Sequence, residues 1–174
     1  MIIELKKTET KLFKTYKVVL NHVSKDIKKP ALNHVKLENK MLYASDGHAM
    51  AWAPLDAEDG VYRIVGNSAS AIILAKADGI NMPDFLSFIP ENYTDSFELS
   101  FDTNKNGVSD ACMALTRECF KASHEIYLFG YKIAYNALSM FPGSVNVKLI
   151  SNEERVVLGD KDGIGAVIMP LRQK

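Results

Sequence analysis

Seven lysines are spaced for contact with phosphates. Lys11, Lys14 and Lys17 recur every three residues, Lys25, Lys28 and Lys29 follow closely, and Lys132 stands alone further on. An ammonium group makes a point contact with a phosphate and reads no base, so the set suits salt-sensitive, sequence-independent contact with a duplex backbone. A solvated helix face is the plainer use of the same lysines. Asp102, Asn104, Asn106 and Gly107 imitate the first half of a calcium loop, but Met113 occupies the twelfth position, where a bidentate glutamate is needed. A hairpin turning at Asn106-Gly107 is the expectation there. His22, His34, His48 and His124 share no metal-ligand spacing with one another or with Cys112 and Cys119. The two cysteines are expected as buried thiols. His48 beside Asp46 has the types for a proton relay in a small hydrolase, yet no nucleophile accompanies them. Neither a phosphate-binding glycine loop nor a nucleophile elbow occurs, so the chain reads as a non-enzyme with no cofactor and no metal.

The elements that must position these residues belong to one domain's worth of chain. The 174 residues are 47% hydrophobic and 24% charged, with no apolar run near the ~18 residues of a membrane span. The first residues lack the apolar stretch of a secretory signal, and a cytosolic protein is expected. The formal net charge of zero hides an asymmetry: residues 1–40 hold ten lysines against four acids, and residues 41–120 hold four bases against twelve acids. A chain polarised in this way can offer one basic face to a polyanion.

Apolar spacing predicts a strand over 2–5 and an amphipathic helix over 11–24. Short strands follow at 33–37, 41–44 and 49–54, then a strand at 61–65 and a small helix over 68–77. Residues 79–90 read as an extended connector held by Phe85, Leu86, Phe88 and Ile89. Strands at 97–101, 111–117 and 126–129, a helix over 131–141, and strands at 145–150, 155–158 and 165–169 complete the chain.

Strand, helix and three strands thus occur twice, and the copies agree in detail. Val35-Lys36-Leu37 matches Val147-Lys148-Leu149, Asp46-Gly47 matches Asp162-Gly163, and Ala53-Pro54-Leu55 matches Met169-Pro170-Leu171. The expectation is a single α+β domain of two βαβββ halves, 1–65 and 120–174, bridged by 66–119. Neither half can cover its own sheet face, so an antiparallel sheet with two helices on one face should result.

Three segments resemble motifs of the bacterial DNA polymerase III beta subunits, the sliding clamps. Ser45-Asp46-Gly47-His48-Ala49-Met50 is similar to the family's T-D-G-H-R-L, with Ala49 in place of the arginine. Pro83-Asp84-Phe85 with Phe88-Ile89-Pro90 is similar to F-P-D-Y-x-x-V-x-P, and Val167-Ile168-Met169-Pro170-Leu171-Arg172 to V-V-M-P-M-R-L. The resemblance implies a DNA-clamp-like fold whose helix lysines face duplex DNA. It also implies a hydrophobic groove, built from Ser45, Gly47, His48, Met50, Pro83, Phe88, Val167, Met169, Pro170 and Leu171, for short peptides of DNA polymerase or other clamp partners. A homo-oligomer closing a ring belongs to the same expectation. The rival expectation is a clamp-fold regulator that binds such peptides without encircling DNA.

Overall fold

The structure, a computed structural model, describes residues 1–26, 28–124, 127–150 and 155–170. The chain divides into two compact units, Met1–Phe85 and Leu86–Lys174. In the first, β1 (Ile2–Lys6) leads to α1 (Phe13–Leu20), a 3₁₀ turn at Pro30–Leu32, and the strands β2 (Val35–Glu38), β3 (Met41–Ser45), β4 (Ala49–Pro54), β5 (Gly60–Asn67) and β6 (Ala71–Lys76). The strand order is β1-β6-β5-β2-β3-β4 with every neighbour antiparallel. Asn39 and Lys40, at φ 52 and 61, form the two-residue loop between β2 and β3, with the φ signs of a hairpin turn matched to strand twist. Phe13, Tyr16, Val19 and Leu20 recur at helical spacing and bury one face of α1, which packs on β3 and β4.

The second unit begins with a 3₁₀ turn at Leu86–Phe88. It continues as β7 (Asp95–Ser100), α2 (Lys105–Ser123), α3 (Tyr131–Leu138), β8 (Ser144–Leu149), β9 (Val156–Gly159) and β10 (Gly165–Ile168). Its order is β10-β9-β8-β7, again antiparallel. Both units are α+β: each has a strand, then one helix in the first unit and two in the second, then a three-stranded meander. Among the described residues no helix is long and apolar enough to cross a membrane.

Several expectations need correction. Residues 68–77 do not form a helix. Ser68 Oγ accepts the Ser70 and Ala71 N–H groups at 3.3 and 3.0 Å, turning the chain into β6, which lies between β1 and β5. A six-residue apolar run can serve as helix or strand, and pairing with β1 and β5 makes this one a strand.

Residues 111–117 are not a strand either; they lie inside α2. Val108, Ala111, Cys112, Leu115 and Cys119 repeat at three and four residues and form its buried face. The hairpin at Asn106-Gly107 is instead the first turn of this helix. Asn104 is its N-cap, with Oδ1 accepting Gly107 N–H at 2.8 Å. A Cβ on Gly107 would lie 2.3 Å from the Asp102 carbonyl oxygen, so glycine is required by the close approach of backbone.

Residues 127–129 form no strand, and Ile126 lies outside the described residues. The helices expected over 11–24 and 131–141 are shorter, ending at Leu20 and Leu138. Of the three helices expected, that over 68–77 is replaced by β6, and α2 is a helix where a strand was expected. The bridge 66–119 carries β6, β7 and most of α2, and so builds both units.

Candidate functional site

The lysines lie in different local settings. Lys11, just before α1, and Lys14 on it are exposed, because the buried face of the helix takes Phe13 and Tyr16. The Tyr16 hydroxyl donates to the Pro54 carbonyl at 2.7 Å, and burial holds it above the usual tyrosine range, so it stays a donor. Lys17 is half-buried and committed elsewhere: its ammonium donates to Asn67 Oδ1 and, at 2.8 Å, to the Ser68 carbonyl. It ties α1 to the turn between β5 and β6. Lys25, Lys28 and Lys29 are exposed on the irregular segment beyond α1, with Asp26 among them accepting the Lys28 backbone N–H at 3.0 Å. Lys132 is exposed on α3 in the second unit.

The groove residues fall in both units. In the first, Ser45 Oγ donates to the Ala49 carbonyl at 2.8 Å and accepts the Gly47 N–H at 3.1 Å, closing the turn between β3 and β4. Gly47 holds φ +90 and His48 is exposed. Asp46 Oδ1 accepts the backbone N–H groups of His48 and Ala49 at 2.8 and 3.0 Å. That carboxylate shapes the turn. Met50 is only 4% exposed and fills core. Pro83 is half-buried, and Phe85 is buried with its ring stacked 5.9 Å from Tyr43.

In the second unit, Phe88 and Met169 are 46% and 41% exposed, a large apolar offering for side chains that usually go inside. Val167 is buried, Pro170 is half-buried, and Leu171 lies outside the described residues. Leu86, which is not among the expected groove residues, is exposed beside Phe88. The apolar run 85–89 was the available signal: only Phe85 of its large side chains is fully buried. Arg155 Nη1 donates to the Phe88 carbonyl at 3.5 Å. Cys112 and Cys119 are buried on α2, where desolvation pushes their thiols up to about 11 and about 12. They are inert at neutral pH.

This fold matches solved DNA polymerase III beta subunits over essentially the whole chain. The subunit from Thermotoga maritima is 14% identical with a TM-score of 0.65, the match covering 100% of this chain and 66% of that one. The subunit from Borrelia burgdorferi, solved with a natural product, is 15% identical with a TM-score of 0.67, covering 100% and 65%. The beta clamp of Helicobacter pylori, bound to a DNA ligase peptide, is 12% identical with a TM-score of 0.66, covering 98% and 65%. The chain therefore has the sliding-clamp fold, and its match spans just under two-thirds of the clamp chains. No protein-family model matches the sequence, and no curated protein does.

Proposed function

We propose that this chain is a clamp-like protein of DNA replication. It is not an enzyme in this reading: it touches duplex backbone through exposed lysines and holds short peptides of polymerase-type partners on an apolar groove. The match of the whole chain to the clamp fold is the observation that carries the reading. The lysines that remain available are Lys11 and Lys14, with Lys25, Lys28 and Lys29 beyond the helix and Lys132 in the second unit. For the groove, Phe88 and Met169 offer exposed apolar surface in the second unit, with Leu86 beside Phe88. Burying two large apolar side chains of a peptide is worth roughly 1.5–3 kcal/mol each. After the costs of association such a peptide binds in the micromolar range or weaker. The exposed thioether of Met169 suits a surface that accepts more than one sequence.

Fluorescence anisotropy with two unrelated duplexes over a range of salt tests the DNA half. The Lys11→Glu, Lys14→Glu variant should weaken both duplexes alike and flatten the slope of log K against log salt by about 0.9 for each phosphate no longer neutralised. Titration with a peptide carrying glutamine followed by Leu-Phe tests the other half, with resonance shifts expected at Leu86, Phe88 and Met169. β1 and β7 are edge strands on which a second copy can pair, and the mass in solution reads whether an oligomer forms.

The commitment of Lys17 to Asn67 and Ser68 favours a second reading, a clamp-fold regulator that captures the same peptides without DNA. Peptide binding together with duplex affinity that the lysine variant leaves unchanged would select it.

A further inference from the structure

His22 follows α1 by two residues and is 2% exposed. Its Nδ1 lies 3.0 Å from the Val18 carbonyl oxygen. A carbonyl only accepts, so Nδ1 carries the proton and donates, and Nε2 is left as a bare lone pair. That atom is buried and has no hydrogen-bond partner among the described residues. A neutral ring fits this place: one nitrogen is satisfied and the rest of the ring is apolar. A protonated ring would hold a full charge and an unanswered N–H donor away from water, which is costly.

Little surrounds His22 to offset that charge. α1 packs on β3 and β4; β4 has no titratable side chain, and β3 has only Tyr43. The turn between them brings exposed His48 and Asp46. The Asp46 charge favours a protonated ring, but its Oδ1 is already shared by two backbone N–H groups. On the histidine's own segment stand Lys14, Lys17, Lys25, Asp26, Lys28 and Lys29, whose net positive charge does not favour a protonated ring. Burial outweighs the help from the Val18 and Val19 carbonyls and from Asp46, and holds the ring below the ordinary histidine value of 6.5.

The geometry points to His22 as an acid-sensitive latch. Neutral, it seats the end of α1 on β3 and β4; protonated, it releases that end together with the lysine-bearing segment after it. A released His22 titrates near 6.5 and the seated one lower. The latch is therefore at full strength above 6.5 and weakens as pH falls from there toward the lower, seated value. Below that value the ring is charged in both states and nothing more is lost.

The test is residue-resolved amide exchange on the full chain at about pH 7.5 and about pH 5.5, corrected for the intrinsic rate, with an NMR titration of the His22 ring. Protection of the Asn21 and His22 amides should fall by up to about tenfold between these two pH values, because about pH 5.5 lies roughly one unit below the 6.5 of the released ring. The Leu115 amide in α2 should hold, and His22→Leu should remove the difference at Asn21. A ring that titrates at 6.5 or above, or protection that falls equally at Asn21 and Leu115, overturns the latch. Should the leucine variant fail to fold, the ring titration and the wild-type profile decide by themselves. None of these measurements involves DNA or peptide, so failure of the clamp-like role leaves them readable.

Discussion

In the first unit three residues, Asp46 to His48, join β3 to β4; in the second, five residues, Asp160 to Ile164, join β9 to β10. Each turn opens on an aspartate directly after the strand. Asp46 Oδ1 takes the N–H groups of His48 and Ala49, and Asp160 Oδ1 takes those of Asp162 and Ile164 at 2.9 and 3.0 Å. Each turn also has a glycine at positive φ two residues before the next strand, Gly47 at +90 and Gly163 at +82. The carboxylate is placed by the strand that ends and the glycine by the strand that begins, with the extra residues between them. Pairing Asp46-Gly47 with Asp162-Gly163 on sequence therefore equates the right glycines and the wrong carboxylates.

The units differ more in what accompanies the meander. In the second, β7 pairs directly with β8, and two helices fill the connection. In the first, the β5–β6 hairpin stands between β1 and β2, and one short helix without a side-chain cap suffices. A shared meander thus tolerates different partners for its preceding strand, because the antiparallel ladder asks only for a free edge.

Substitutions in the two units sharpen this contrast. The largest effect is expected from Leu115→Ala, which empties a fully buried site on α2 and should cost about 2–5 kcal/mol in urea unfolding. Leu20→Ala at the end of uncapped α1 should fall at the low end of that range, and equal costs would break the distinction between the helices. Gly107→Ala comes next, at about 1–3 kcal/mol, because its Cβ meets Asp102 backbone. Gly47→Ala and Gly163→Ala should each lower stability by ~1–2 kcal/mol. A twofold disparity between them would show that the two turns are not equivalent. Asn104→Ala should cost around 1 kcal/mol and fray the start of α2, read as faster amide exchange at Gly107.

The sequence alone specified the meander strands, α1, α3 and both turn glycines, because alternation, helical spacing and turn chemistry act over a few residues. It also carried the signals for α2, the Asn104 cap and the spacing from Val108 to Cys119, but Asn106-Gly107 reads equally well as a hairpin. Only the packing of α2 on β7 and α3, with the close Asp102 backbone, decides for the helix. Tertiary structure alone made Ala71–Lys76 a strand, since a short apolar run takes the state that its neighbours can hydrogen-bond, and here these are β1 and β5. It alone also bound the Lys17 ammonium and sank Met50 and Val167 while leaving Phe88 and Met169 exposed. Residue type gives a side chain's chemistry, but whether that chemistry meets solvent depends on backbone brought from far along the chain.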